Sequence, residues 1–275
     1  MRRYTYDAKN YPLSEIALGS IQKHYPDVQD LSLLHEHVPS KKIGELAKII
    51  GKDLADTNFY KIFDKLLEDY VSLGEILVQR FGNIRINIPN QDKDGTVLPF
   101  HQGQWVGNGL GLRTVWLPFT DAYDSNSLQL VNLMDSRAIT DACKEWDYLR
   151  LQEECKKYCE PVNIRKGQFI LFTQEHIHGA AANRTGKTRM SIDVRLLLKD
   201  GQPHRKWPGA YFRKLHDTDI HSRKVEIKDN DNVVMYAEYE GFKTRYIDLH
   251  FQTLTVKDYC NRMGYTFPHQ TGDNE

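Results

Sequence analysis

The sequence has little of what would assign it to a secreted scaffold, a membrane or a nucleic-acid surface. Only four of its 275 residues are cysteine, Cys143, Cys155, Cys159 and Cys260, and no Cys-x-x-Cys pair occurs. Cys155 and Cys159 are one helical turn apart, which disfavours a disulfide within a helix. That usage fits reduced thiols in a cytoplasmic protein. Net charge is missing too: lysine plus arginine is 37 and aspartate plus glutamate is 37. No excess positive charge is available to hold nucleic acid non-specifically or to lie on an anionic membrane surface. Long apolar runs are absent; stretches such as Phe169–Phe172 fall far below a membrane span. The opening Met-Arg-Arg-Tyr-Thr-Tyr-Asp has no apolar signal core, which argues against secretion. No internal repeat and no low-complexity segment appears.

What is present is ordinary soluble composition, 40% hydrophobic and 27% charged, in a length that suits one large domain or two small ones. The first eighty residues carry helical periodicity. Pro12 fits a first turn ahead of Leu13, Ile16, Ala17 and Ile21. Ser40 is a candidate cap for a helix with the stripe Ile43, Leu46, Ala47 and Ile50. A longer helix is expected over Thr57–Phe81, with Gly74 inside it as a weak point. From Asn83 the period becomes 2: Ile84, Ile86 and Ile88 alternate with Arg85 and Asn87. Further strands are expected at Val97–His101, Arg113–Phe119, Ser127–Val131, Gly167–Phe172 and Arg189–Leu197, and a helix at Thr140–Lys157. The tail offers a strand-like Thr244–His250 and a short helix near Val256–Met263. With no clear linker, one domain is expected: a helical layer over 1–82, a β core over 83–200 and an appendage over 201–275. Short strands after a helical lead-in suggest a β-sandwich or jelly roll with helices packed outside.

Three segments could carry chemistry. Leu98-Pro99-Phe100-His101-Gln102-Gly103-Gln104-Trp105 ends a strand and opens a loop with Gly107, Gly109 and Gly111. Gln174-Glu175-His176-Ile177-His178-Gly179-Ala180 follows an apolar strand. Arg189-Met190-Ser191 lies eleven positions beyond His178. Two histidines at strand ends could meet across a barrel mouth, and neutral imidazole suits iron, zinc or copper. In a strand Arg189 and Ser191 point to one face, where a guanidinium fork beside a hydroxyl would receive a small carboxylate. Met190, Ile192, Val194 and Leu196 take the other face. Each signal is weak alone: eleven histidines make some pair suggestive, and Arg189 could form an internal salt bridge with Asp193. His176 and His178 are i and i+2, so periodicity does not choose between them.

The order of these residues resembles the phytanoyl-hydroxylase-like branch of the iron(II)/2-oxoglutarate oxygenases. In that family a His-x-acid motif is followed, after a long insert, by His-Gly and then Arg-x-Ser. His101, Trp105, Gly107, Trp116-Leu117-Pro118-Phe119 and Asn126-Ser127 are also similar to sugar-pathway oxygenases related to the streptomycin-cluster protein. The whole chain looks most like the sporadic carbohydrate cluster 2-oxoglutarate/iron oxygenases. A weaker likeness of Gln252–Gly264 points to small proteins of the same clusters. The resemblance implies a mainly β fold, a double-stranded β-helix (cupin-like jelly roll) with an N-terminal helical layer. It implies Fe(II) on His101 and His178, because the second ligand is the histidine before the glycine, and 2-oxoglutarate on Arg189 and Ser191. Molecular oxygen and a small polar metabolite, a sugar or nucleotide-linked sugar, would be the other partners, and a C–H bond of that metabolite would be activated.

The departure from the family pattern is Gly103, which stands where the carboxylate ligand belongs. Iron-dependent halogenases of the superfamily carry glycine or alanine there, with chloride in the vacated position. The alternatives to chloride are a water, a carboxylate from Asp121, Asp124 or Asp193, an amide oxygen from Gln102 or Gln104, or loss of iron. Loss of iron would leave a catalytically silent jelly-roll binding protein. A zinc hydrolase is a third reading, lacking a clear third ligand.

Overall fold

The computed structural model describes residues 1–90, 98–106, 108–109, 111–199, 201, 211–217, 220, 224–229, 232–238 and 255–258. In chain order the elements are β1 (Arg2–Thr5), α1 (Leu13–Gln22), α2 (Leu34–His37), α3 (Ile43–Asp53), α4 (Phe59–Tyr70), β2 (Ile76–Gln79), β3 (Asn83–Asn87), β4 (His101–Gln102) and β5 (Leu112–Pro118). They continue with β6 (Leu128–Val131), α5 (Leu133–Ala142), α6 (Tyr148–Tyr158), β7 (Cys159–Pro161), β8 (Gln168–Thr173), β9 (Ile177–Ala180), β10 (Arg189–Leu198), β11 (Phe212–Lys214), β12 (Lys224–Asp229) and β13 (Asn232–Glu238). The expected Thr244–His250, Cys260, Gly107, Val97 and all but Val256–Asp258 of the last helix lie outside the described residues.

Strand β10 sets the architecture. It is ten residues long and pairs on one side with β5 and on the other with β3 and then β2, always antiparallel. Around it a seven-stranded sheet runs β1-β8-β5-β10-β2-β11, with β3 also on β10; a four-stranded sheet runs β4-β9-β6-β7. The two sheets share a core and, among the described residues, form no closed barrel. The larger sheet takes strands from both sides of 83–200: β1, β2 and β11 all join it.

Alternation along β10 places Met190, Ile192, Val194 and Leu196 on the outer face, all fully buried. They pack in one cluster with Leu13, Ala17 and Ile21 of α1, Ile43, Leu46 and Ile50 of α3, and Phe59, Phe63, Leu66 and Leu67 of α4. Those of α1 and α3 belong to the 3.6-period stripes read from the sequence. Each such side chain contributes roughly 1.5–3 kcal/mol of burial. Between the sheets Trp116, Ile170 and Phe172 meet Leu128, Leu130, Val162 and Ile164. The outer face of the small sheet (Phe100, Val131, Ile177) is covered by α5 and α6 through Ile139, Cys143, Leu151 and Cys155, and Val256 returns to this cluster. Its N–H donates to the Trp146 carbonyl, 2.9 Å.

Several expected boundaries move. The helix placed over Thr57–Phe81 ends at Tyr70; Val71 is extended, and Gly74 has φ +68°, a backbone conformation that favours glycine. Ile76–Gln79 is then a strand beside β10, not the last helical turns. Ser40 makes no side-chain cap; it opens a 3-10 turn before α3. The expected helix Thr140–Lys157 is two helices, separated where Asp147 accepts from the Arg150 N–H and caps α6. The buried Asp64 carboxylate on α4 takes both terminal nitrogens of Arg213 on β11, 2.5 and 2.7 Å. That fork ties the helical layer to the sheet edge.

Candidate active site

The site lies between the sheets, where β4 and β9 face the inner side of β10. Residues His101 and His178 are direct partners across β4 and β9. Their rings lie 4.4 Å apart, centroid to centroid, at 49°. Gly179 allows this approach: a β-carbon there would come within 3.0–3.1 Å of the backbone of Phe100, the residue before β4. The His-Gly pair is thus a packing requirement as well as a motif.

Each imidazole uses Nδ1 on a carbonyl two residues upstream, His101 on Pro99 and His178 on His176, both at 3.0 Å. A carbonyl only accepts, so Nδ1 carries the proton and Nε2 keeps a free lone pair. Burial lowers the His178 pKa from 6.5 to about 4. Burial, helped by the neighbouring His178, lowers that of His101 well below 6.5. At neutral pH the strands therefore present two neutral imidazoles with aligned tautomers, the form that transition metals bind.

The structure also separates His176 from His178. His176 precedes β9 in a turn, bonded through Nδ1 to the Thr173 hydroxyl at 2.9 Å, with its ring against Phe172. It is not on the strand, so the i, i+2 argument does not apply to it.

Gly103 lies two residues after His101. A β-carbon at Gly103 would fall 1.9 Å from Gln174 Oε1 and 3.0 Å from Asn108 Nδ2. The space of a side chain at position 103 is therefore filled by Gln174, which is buried. Gln174 Nε2 donates to the Thr114 hydroxyl at 2.8 Å, and Oε1 accepts from Asn108 Nδ2 at 2.7 Å. The Gly103 N–H donates to the Gln174 carbonyl, and the Asn108 N–H to the Gly103 carbonyl. Sequence reasoning quoted Gln174 inside a motif and gave it no role.

The acids considered as substitutes are engaged elsewhere. Asp121 accepts from the Lys166 N–H at the surface, and Asp124 is an exposed residue. Asp193 is inside, but Oδ1 takes Asn83 (2.6 Å) and Arg195 (2.9 Å), and Oδ2 takes Arg85 (3.0 Å). Burial alone would raise its pKa; Arg85 and Arg195 hold it well below the usual carboxylate range. Among the described residues no group of three His, Cys, Asp or Glu side chains could hold a metal ion. Gln102 gives its amide N–H to the Glu175 carbonyl at 2.6 Å, and its buried Oε1 has no partner. As the neighbour of His101 on β4 it faces the opposite side.

Arg189, Ser191, Asp193 and Arg195 share the inner face of β10. Arg189 is 4% exposed. It donates to the Asn126 carbonyl (2.9 Å), the Ser191 hydroxyl (3.0 Å) and the Arg85 carbonyl (3.4 Å). Trp116 Nε1 also donates to the Ser191 hydroxyl, 3.1 Å. The considered Arg189–Asp193 bridge does not form. Among the described residues every hydrogen-bond partner of Arg189 is neutral. Burial, with Arg85 adding repulsion, lowers its pKa to about 10, so it stays charged at neutral pH. A buried cation without a counter-ion is costly and is the natural receptor for an anionic ligand group.

The sequence model of the phytanoyl-CoA dioxygenase family matches residues 49–191, a span that contains His101, Gly103, His178, Arg189 and Ser191. The chain belongs to this family. Membership makes it a jelly-roll protein of the non-haem iron/2-oxoglutarate oxygenase superfamily. No curated protein matches the chain significantly. Among solved structures, a non-heme monooxygenase, the ThoJ–nickel complex, is 13% identical, with 94% of this chain and 93% of that chain covered and a TM-score of 0.41. The non-heme alpha-ketoglutarate-dependent carbocyclase SnoK from nogalamycin biosynthesis is 17% identical, with 52% and 62% covered and a TM-score of 0.37. HygX from Streptomyces hygroscopicus, with nickel and 2-oxoglutarate bound, is 10% identical, with 71% and 81% covered and a TM-score of 0.39.

Proposed function

We propose that this chain is an iron(II)- and 2-oxoglutarate-dependent oxygenase that uses His101 and His178 as metal ligands and Arg189 with Ser191 as the cosubstrate's carboxylate receptor. The observation that carries the reading is the pairing of two half-finished features on one inner surface. Two neutral imidazoles keep free Nε2 lone pairs, and among the described residues a buried guanidinium has no anionic hydrogen-bond partner. Iron with 2-oxoglutarate would supply oxygen activation toward a substrate C–H bond, with succinate and carbon dioxide as co-products. The chain's own residues hold and orient. The carbonyls of Pro99 and His176 fix the imidazole tautomers. Asn126 and Ser191 fix the guanidinium fork, and Trp116 anchors the Ser191 hydroxyl. Asp193 neutralises the cations next along the strand.

Hydroxylation is the outcome supported over halogenation, since Gln174 fills the space beside Gly103 that chloride would need. The substrate is proposed as a small polar metabolite, and a sugar or nucleotide-linked sugar follows from the sequence resemblance alone. A cytoplasmic location is proposed from the cysteine usage: among the described residues Cys143, Cys155 and Cys159 form no disulfide. Among the described residues no helix is long and apolar enough to cross a membrane.

The test is anaerobic titration with Fe(II) and 2-oxoglutarate, read by the visible charge-transfer band of the chelate, followed by succinate release in air with candidate metabolites. Halide-independent succinate release with a 16-mass-unit gain in product is the expected result. Among the described residues no acid completes the triad, which favours one rival, a silent jelly-roll binding protein. Failure to bind metal together with absence of succinate would establish that rival.

A further inference from the structure

We propose that Gln174 supplies the third protein ligand, its side-chain carbonyl oxygen replacing the acid that Gly103 lacks. The inference rests on the two-histidine metal reading above. Gly103 sits in the turn directly after β4, two residues beyond His101, at the place where the family pattern carries the acid that shares the metal. Here that place is taken by Gln174 Oε1, 1.9 Å from where the β-carbon of residue 103 would begin. The amide enters from the turn after β8, 71 positions along the chain. It occupies the volume of the missing side chain with an oxygen at its tip.

The amide is held as a ligand needs to be held. Its nitrogen is fixed on Thr114 and its backbone carbonyl on the Gly103 N–H. Asn108 Nδ2 takes one lone pair of Oε1 at 2.7 Å, and a carbonyl oxygen has a second. Hard and borderline cations accept such oxygens. Glycine at 103 fits this arrangement: a side chain there would have to displace the Gln174 amide from its hydrogen bonds with Thr114 and Asn108. Charge follows as well. A neutral amide in place of a carboxylate leaves the site one unit more positive, so metal affinity should be modest without 2-oxoglutarate and rise when that dianion joins.

The decisive measurement is anaerobic Co(II) titration, read by calorimetry and by the cobalt d–d absorption bands, on the folded full chain. Gln174→Leu keeps the volume and removes the oxygen; it should weaken Co(II) by about tenfold or more and shift the bands. Gln174→Glu keeps the oxygen and adds charge; it should tighten Co(II). Gly103→Asp alone should bind poorly because Gln174 blocks it, whereas Gly103→Asp with Gln174→Ala should recover binding, a non-additive pair. Wild-type affinity and unchanged bands in both Gln174→Leu and Gln174→Glu would overturn the inference and leave Gln174 as filler. If Gln174→Leu does not fold, the Glu variant and the double variant decide alone: unchanged affinity in the first and no rescue in the second overturn it. His178→Ala separates the two levels. Retained Co(II) in that variant defeats the two-histidine reading itself, whatever Gln174 does.

Discussion

The inner face of β10 carries two charged neighbourhoods that obey opposite rules. Around Asp193 charge is over-supplied with partners: Arg85, Arg195 and Asn83 all reach one carboxylate. Two strand steps further along, past Ser191, Arg189 is buried among neutral groups. A saturated network specifies structure, because removing one member strands the rest. An unsaturated buried ion is tolerated only where something else completes it. On the proposed reading the contrast gives Asp193 to the architecture and Arg189 to a ligand, although both are charged residues on the same strand face.

The sharpest break of that comparison lies at the histidines, which on the proposed reading also await a partner. His101→Ala or His178→Ala should abolish Fe(II) or Co(II) binding while leaving a folded protein, since among the described residues each ring makes one hydrogen bond, to a carbonyl. His176→Ala should keep most of the metal. Equilibrium dialysis with metal analysis ranks the three; metal loss in His176→Ala with retention in His178→Ala would reverse the assignment.

Next in size is the saturated side. Asp193→Ala leaves Arg85 and Arg195 without their shared anion, and breaking a well-buried pair of this kind removes about 3–5 kcal/mol. Arg85 is partly exposed, so the loss should fall near the bottom of that range. Urea unfolding measures it. The prediction is a large drop in midpoint with 2-oxoglutarate affinity preserved in the population that stays folded.

Arg189 should give the mirror image. Arg189→Ala removes charge-assisted bonds worth roughly 1.5–3 kcal/mol each and should raise the 2-oxoglutarate dissociation constant about ten- to a hundredfold or more. The unfolding midpoint should move much less than in Asp193→Ala, since no carboxylate is stranded. Arg189→Lys should recover only part of the affinity, because a point charge does not reproduce the fork. Equal stability losses in the two alanine variants would erase the distinction between the neighbourhoods.

The same contrast explains what was legible in the sequence. Period-2 alternation in Ile84-Arg85-Ile86 and along β10 reports sheet faces, and the residues of the His-Gly and Arg-x-Ser motifs come to lie on strands of the two sheets. Ile76-Leu77-Val78 was misread because a short buried apolar run has the same composition in a helix and in a central strand. The turn at Gly74 and the pairing with β10 decided it. β1 is four largely exposed residues and owes its place to β8 and to Tyr4 stacking on Phe169 at 4.8 Å. Gln174 was invisible for a deeper reason. Its partner Gly103 is remote in the chain, and only the antiparallel meeting of β4 and β9 makes one residue's missing side chain another's address. A glycine where a family carries an acid is the signal that could have prompted a search for a buried polar residue nearby.

The smallest expected effect is a pH dependence that tests whether the histidine half is held neutral. The fold lowers the pKa of His178 and of His176 to about 4 from an ordinary 6.5, in each case mainly by burial. His101 moves the same way. A base whose folded pKa is depressed is bound by fewer protons in the folded than in the unfolded chain. Its contribution is therefore complete above about pH 6.5 and is lost as pH falls from there toward 4. Each such group removes at most roughly 1.4 kcal/mol per pH unit crossed. Metal-free wild type should lose stability across that window faster than His176→Ala, which carries one depressed histidine fewer. Saturating Co(II) should hold the wild-type curve up, because metal competes with protons for the same Nε2 lone pairs. It should not change the part of the slope contributed by His176. A slope that Co(II) leaves wholly unaltered would place the metal away from the histidine pair. An apo protein equally stable at pH 7 and pH 5 would show that the imidazoles are not held neutral at all.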